Sequence, residues 1–386
     1  MKVLKLIFKN TLRHKLRTML TVLGLAIAVL AFGVLRTVVD MWYESVNYAA
    51  TNRLIVRQSV SFIFTLPYSY KAQIEKIPGV EGVTYQNWFQ GVYIDKSKFF
   101  ARMATDPETI FSIYPEFLID PTELEAFKRE RNSCVVGSEI AKQYGFKIGD
   151  IIPIDGDIYP GRWEFVVRGI YKPRDKATDA TQMLFQWNYL DERIKQEMPA
   201  RAGQVGWYII KIKDGKQAAA ISEQVDALFF NSPHATKTET ERQFTQNFIS
   251  GLSSLLTAMN FISFVIIGVI MLVLGNTMIM SARERTREYA VLKTLGFSGM
   301  HLFGLIFGES MLIAVLGAGL GVAGTYPIVA GIAAILPKGF FPFFFITPAT
   351  LILAASAAMV VGVAASIFPI QRALRMQTVD GLRFIG

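Results

Sequence analysis

The chain reads as an α-helical membrane protein with four transmembrane helices and a large α+β extracytoplasmic domain between the first and the second. Three observations predict this. Of 386 residues, 52% are apolar, and the mean hydropathy of +0.33 is higher than a soluble two-domain protein of this length needs. The apolar residues gather in long uncharged runs towards both ends of the chain. Charge separates in the same way: Asp40 to Asn247 holds about 25 basic and about 27 acidic residues, so the formal charge of +9 belongs to the regions beside the apolar runs.

Outside that central stretch, every Lys and Arg except Arg36 and Lys338 lies in one of three patches, Lys2 to Arg17, Arg283 to Lys293 and Arg372 to Arg383. Basic residues beside apolar spans follow the positive-inside pattern. The expected setting is a bacterial inner membrane crossed several times, with both termini cytoplasmic. The basic pI of about 9.4 is thereby explained without nucleic acid as a partner, and membrane lipid is the expected one.

The elements follow in order. Residues 1–16, in which Val3, Leu4, Ile7, Phe8 and Leu12 recur at helical spacing beside Lys5, Lys9 and Arg13, are expected to form a basic amphipathic helix along the inner surface. Residues 17–39 form span one. Thr18 to Leu35 carries no charge and is about the minimum length for a hydrocarbon core of about 30 Å. It reads as an uncleaved anchor, because no Ala-x-Ala site is obvious near Arg36.

Residues 40–241 are the extracytoplasmic domain. Arg53 to Arg57, Ile151 to Ile154, Trp163 to Gly169 and Trp207 to Ile212 look like strands, and Cys134 to Val136 like a buried one. Ser69 to Ile77, Pro121 to Arg131, Ser138 to Tyr144 and Lys216 to Leu228 look helical. The order suggests two α+β subdomains, the second, about 105–204, inserted in the first. The lone Cys134 excludes an intramolecular disulfide. Phe62, Phe64, Trp88, Phe89, Phe99 and Phe100 read as core, with an apolar cleft for lipid, peptide or drug as the alternative.

Residues 242–258 are expected to be a stalk helix running continuously into span two, 259–280, since Phe244, Phe248, Leu252, Leu255 and Met259 keep one face. A cytoplasmic segment, 281–301, leads to span three, 302–336, interrupted late by Pro327. Span four, 348–370, follows a short aromatic turn, and 371–386 form a cytoplasmic tail. In span three, Gly304 with Gly308 and Gly317 with Gly321 have the spacing that lets helix backbones approach closely. Glu309 is the one carboxylate inside an apolar span and reads as structural or interfacial.

Catalytic chemistry is missing from the pattern. No G-x-x-x-x-G-K-[ST], H-E-x-x-H, G-x-S-x-G or C-x-x-C occurs, and His14, His234 and His301 are scattered. The expected sets of catalytic, cofactor-binding and metal-binding residues are all empty, and the chain is not expected to be an enzyme by itself.

The most informative stretch is SARERTREYAVLKTLGFSGM, Ser281 to Met300. Arg283, Arg285 and Arg287 alternate with Glu284 and Glu288. Tyr289, Val291, Leu292 and Leu295 then supply an apolar stripe beside Lys293, and Gly296 stops the helix. One reading is a surface helix resting on anionic headgroups; the other is a docking helix for a cytoplasmic partner.

This stretch resembles the R-x-R-E-x-x-x-L-K-x-L-G run of the MacB and FtsX type of ABC-transporter permease at Arg285, Arg287, Glu288, Leu292, Lys293, Leu295 and Gly296. IPGVEGV (Ile77 to Val83), VVGSEIAKQYGFKIGDIIPI (Val135 to Ile154) and FVVRGIYK (Phe165 to Lys172) resemble that family too, in the same order. The resemblance implies a MacB-like periplasmic core domain and a coupling region at residues 283–296. It implies a cytoplasmic ABC ATPase dimer carrying ATP and magnesium, and a second copy of the chain or a paralogous permease. A periplasmic adaptor and an outer-membrane channel are further partners it allows. The implied function is ATP-driven export or extraction of a lipid, lipoprotein, peptide or drug, by the mechanotransmission route. The alternative is a regulator that passes ATPase motion to an extracytoplasmic enzyme or signal without moving cargo. The split arrangement of lipoprotein-releasing and DevC-like permeases is the nearer likeness.

Overall fold

The computed structural model describes residues 11, 13, 15–48, 50–175, 178–335 and 345–375. The expected N-terminal amphipathic helix, most of the aromatic turn between spans three and four, and the tail beyond 375 lie outside them. The described residues fall into two compact units. One comprises the residues up to Trp42, Leu252–Ala334 and 345–375; the other is Tyr43–Gly251.

Helix α1 (Lys15–Tyr48) carries span one and continues through Trp42 and Tyr43, and the sequence then turns to strands. These are β1 (Arg53–Gln58), β2 (Leu66–Pro67), a short helix α2 (Lys71–Ile74), β3 (Val80–Trp88), β4 (Gly91–Val92) and β5 (Ala101–Thr105). There follow α3 (Ile110–Ile113), β6 (Phe117–Leu118), α4 (Pro121–Arg129), β7 (Ser133–Gly137), α5 (Ser138–Tyr144), β8 (Ile151–Gly156), β9 (Gly161–Pro173) and β10 (Gln182–Gln186). Then come α6 (Trp187–Glu197), β11 (Gln204–Val205), β12 (Trp207–Ile212), α7 (Ala218–Phe229) and β13 (Thr236–Thr240). Helix α4 shows why such elements start where they do: Asp120 accepts from the Thr122 amide at 2.8 Å, and Pro121 occupies the first helical position.

Except for β2 and β11, which pair with each other, the described strands join one sheet in the order β13-β1-β12-β3-β5-β10-β7-β9-β8-β4, with β6 on β9. The chain leaves the β1-β12-β3-β13 group after Trp88 and returns to it at Trp207, so the strands between belong to an inserted lobe. The sheet does not stop at the lobe: Gln86, Asn87 and Trp88 of β3 pair with Thr105, Ala104 and Met103 of β5. The expected boundary near 105 is therefore corrected. It falls at the end of a strand shared by ladder bonds with both groups, and the insertion begins just after β3.

Strand alternation explains the two covered faces. Leu54 and Val56 lie with Ile74, Ile221, Val225 and Phe229 under α2 and α7. On the other face, Ile55, Ile113, Trp207 and Ile209 cluster with Phe244. Phe89 and Phe100 are core, as favoured; Phe62 and Phe64 are partly exposed, at 39% and 54%. Phe62 packs on Trp207 and Phe244, with ring centroids 4.8 and 5.2 Å apart.

Helix α8 (Glu241–Gly251) leads towards span two but ends at Gly251, and α9 (Ser253–Glu284) starts after Leu252. The expected unbroken stalk is thus two helices. Gly251 and the Ser253-Ser254 pair are weak helix formers at the break. Helix α10 (Thr286–Thr294), α11 (Gly299–Ile335) and α12 (Pro348–Arg375) complete the chain. Pro327 does not interrupt α11, and Pro369 lies within α12, because transmembrane helices tolerate the lost donor where neighbours re-satisfy the backbone.

Among the described residues, four helices are long and apolar enough to cross a membrane: Lys15–Tyr43, Ser253–Glu284, Gly299–Ala334 and Pro348–Arg375. Leu25, Val29 and Phe32 of α1 meet Ala314 and Ala318 of α11 and Ala354 and Ala358 of α12 in one layer. Val22, Leu274, Met278, Ile313 and Val361 form another. At the far end of α1, Arg36 pairs with Asp40 at 2.8 Å and donates to Asn260 at 3.1 Å. Asp40 also accepts from Thr350 and, at 3.4 Å, from Thr347, which caps α12. Buried charge in the bundle is thus paired.

Candidate functional site

The Ser281 to Met300 segment is built from the end of α9 and all of α10. Helix α9 stops at Glu284 with Arg285 outside helical geometry (φ −96°, ψ 9°), and Thr286 turns its hydroxyl onto the Arg283 carbonyl at 2.8 Å. Helix α10 ends as its glycine requires. Gly296 has φ +90°, its amide donates to Lys293 O at 3.1 Å, and the Phe297 amide donates to Leu292 O at 3.0 Å. These are the paired bonds of a Schellman cap.

One side of α10 faces inward. Tyr289 and Leu292 pack with Ala282, Leu302, Ile306, Ile370 and Ala373, tying α10 to α9, α11 and α12. Burial, with the Glu309 charge nearby, pushes the Tyr289 phenol up to about 12. Lys293 Nζ donates to the Leu374 carbonyl at 3.2 Å.

Arg285 belongs to this inward side, at 5% exposure, and Nη1 donates to Glu309 Oε2 at 2.8 Å. Of the residues expected in the coupling region, Arg285 and Tyr289 thus point inward, and Arg285 is the counter-ion of Glu309. Both border a polar cavity of about 20 Å³ with Arg17, Thr18, Thr277 and Ser281, large enough for one water molecule. Arg17 pairs with Glu284 at 2.7 Å, and Arg13 pairs with Glu288, so the start of α1 is bound to both ends of the α9–α10 corner.

The outward side carries different chemistry. Arg283, Arg287 and Val291 are exposed, and beyond them Leu295 and Met300 are 69% and 75% exposed with Phe297 between. Phe297 and Met300 are the residues that sequence reasoning missed. Phe297 lies past the stop of α10 and Met300 in the first turn of α11, where the spacing along α10 no longer sets a face.

The glycine pairs divide. A Cβ on Gly317 would stand 2.6 Å from Leu25 Cδ2, and one on Gly321 would stand 2.6 Å from Val29 Cβ and 2.7 Å from Ala26 O. Those two glycines let α11 press on α1. Gly304 has no such neighbour within 4 Å, so its spacing brings no second backbone close. Gly308 is half-buried. Among the described residues, no group of three or more His, Cys, Asp or Glu is placed to hold a metal.

Against known families, the MacB-like periplasmic core domain matches residues 18–228, and the FtsX-like permease C-terminal region matches 260–378. The chain belongs to the MacB/FtsX-type ABC-transporter permease family, as its four apolar helices and the α+β domain after the first require.

An uncharacterized ABC transporter permease of Methanocaldococcus jannaschii is 22% identical over 82% of this chain and 80% of its own length. Another, of Mycobacterium tuberculosis, is 24% identical over 68% of this chain, which spans 30% of that protein. A macrolide export ATP-binding/permease protein MacB of Shewanella oneidensis is 24% identical over 96% of this chain and 58% of its own length. Among solved structures, the periplasmic region of MacB from Actinobacillus actinomycetemcomitans aligns with a TM-score of 0.38 at 13% identity, covering 54% of this chain and 97% of that one.

Proposed function

We propose that this protein is the permease subunit of an ABC transporter in which residues 283–300 receive motion from a separate ATP-hydrolysing subunit. The observation that carries the reading is the two-sidedness of α10. Its inner side packs on α9, α11 and α12 through Tyr289 and Leu292, and three ion pairs, Arg13 with Glu288, Arg17 with Glu284 and Arg285 with Glu309, fasten the α9–α10 corner, while Leu295, Phe297 and Met300 beyond it stand exposed, as do Arg283 and Arg287. An apolar patch ringed by charge fits a groove on a partner, and a displacement there moves the ends of all four spans together.

The basic patches support a cytoplasmic position for this end and both termini, with the α+β domain outside. ATP and magnesium belong to the partner, since this sequence has no phosphate-cradling loop. A second permease copy or a paralogue completes the assembly. Span two is the least covered, with 17% of its most apolar window buried against 44% for span one. The output is export or extraction of a lipid, lipoprotein, peptide or drug at the outer face. The macrolide export proteins among the relatives support this class, and a periplasmic adaptor with an outer-membrane channel would extend the path.

The test is purification of the tagged protein from native membranes with trapped nucleotide, with co-purifying subunits identified by mass spectrometry and ATP hydrolysis assayed. A stoichiometric ATPase that Leu295→Asp or Met300→Asp releases, without loss of helical content, is the expected result. Retention of the ATPase by both variants, with unchanged hydrolysis, sinks the docking assignment. Cargo-dependent efflux after reconstitution separates transport from pure mechanotransmission.

A further inference from the structure

Within the α+β domain, one side chain joins the strand that follows α1, the first residue of α8 and the insertion. Arg53 opens β1, five residues after α1 ends at Tyr48. Its Nε donates to Glu241 Oε2 at 2.7 Å, and Glu241 is the first residue of α8, the helix that precedes span two. Its Nη1 donates to Glu116 Oε1 at 2.5 Å and reaches the Ile113 carbonyl at 3.4 Å. Its guanidinium carbon stands 4.3 Å from the centre of the Tyr114 ring.

The Ile113 to Glu116 stretch belongs to the insertion, because Phe117 and Leu118 pair directly with Pro173 and Lys172 of β9. Ile113 also packs on Ile55 and Ile209, so the stretch straddles the β1-β12 face and the inserted lobe. Arg53 is 8% exposed. Burial alone would lower its pKa, but the Glu241 and Glu116 charges hold it above the ordinary arginine value. A planar five-donor fork can hold two carboxylates at once, whereas a lysine ammonium offers a point charge without that geometry.

We infer that Arg53 is a positioning residue through which movement of the two membrane-connected segments reaches the inserted lobe. The inference rests on the mechanical reading above and names the residue inside the domain that reading lacks. A neighbouring pair, Arg57 with Glu239 at 3.0 Å, and Asn247 on Glu239 at 2.6 Å, lies on the same face. It holds α8 to β13 and β1 without reaching the insertion, so it serves as the control.

The experiment uses the full chain with its co-purified ATPase in nanodiscs, spin-labelled at Lys213→Cys and Glu125→Cys. Cys134 is buried and does not compete for label. Interlabel distances are measured nucleotide-free and vanadate-trapped. The expected result is a distance shift in the parent that Arg53→Lys and Glu116→Gln abolish and Arg57→Lys preserves, with basal ATP hydrolysis unchanged.

Glu116→Gln keeps the test falsifiable if the Arg53 variant folds poorly, because it removes one arm and leaves Arg53 on Glu241. A full shift in Glu116→Gln, or in a folded Arg53→Lys, overturns the inference while leaving the mechanical reading intact. Absence of any shift in the parent overturns the mechanical reading, and the inference with it.

Discussion

Arg285 and Glu309 face each other across 2.8 Å with side chains 6% and 12% exposed, joining the corner that closes span two to the third turn of α11. A buried pair contributes little relative to well-packed apolar residues, yet breaking it leaves an uncompensated charge. Arg285→Met or Glu309→Gln alone is therefore expected to cost about 3–5 kcal/mol, and the double substitution markedly less than their sum. Thermal unfolding of the four proteins in one detergent gives the cycle; strict additivity would show that the two charges do not depend on each other.

Helix α11 approaches α1 where a methyl group has no room. Gly321→Ala would place Cβ 2.7 Å from the Ala26 carbonyl oxygen, a backbone atom that cannot rotate away. The expected loss is about 1–3 kcal/mol. Gly304→Ala meets open space and should be neutral or gain the roughly 0.5–1 kcal/mol by which alanine outdoes glycine in a helix. Equal melting temperatures for both variants would contradict the packing.

The stop of α10 depends on one backbone conformation. Gly296 at φ +90° closes the Schellman bonds, and a side chain there costs roughly 1–2 kcal/mol. Gly296→Ala should shift the exposed Leu295 to Met300 stretch more than the bundle. Hydrogen exchange at the Phe297 amide measures it directly, with faster exchange expected than in the parent.

Lys71 and Asp106 form a pair at 2.6 Å that gives the domain an alkaline signature. Burial lowers the Lys71 pKa, and the Asp106 hydrogen bond and charge more than reverse this, so the folded value stands above the ordinary 10.5. A raised lysine pKa stabilises the fold in full below the unfolded value. That stabilisation is lost as pH rises through the folded value. Tryptophan-detected unfolding from pH 8 upwards, ending above about 10.4, should show the parent losing its advantage over Lys71→Met only at the alkaline end. A constant gap would rule the pair out as the cause.

Cys134 lies buried on β7, and burial alone raises its thiol pKa well above the ordinary value. Thiol reagents at neutral pH should modify it only as fast as the domain opens. Labelling without denaturant at the rate of a free thiol would show that the sheet is loosely closed there.

Much of this architecture is legible in the residues, because the spans announce themselves by length and lack of charge, and β1, β8, β9 and β12 by apolar alternation. Strand β3 was not legible: Thr84, Gln86 and Asn87 are buried on it, and buried polar residues carry no strand signal. The inserted lobe was visible as an idea, but its edge was not, since a ladder between β3 and β5 is a long-range fact. In the coupling segment, spacing could not show that Arg285 points at Glu309. Alternating charges look alike along a sequence, and only the neighbouring helix decides which of them loses its water.

The two links between membrane and domain are built differently. Helix α1 runs from Lys15 to Tyr48 without a break, while the other link is jointed at Leu252. The first link is thus a single helix over its whole length, whereas the second passes from one helix to another across one residue.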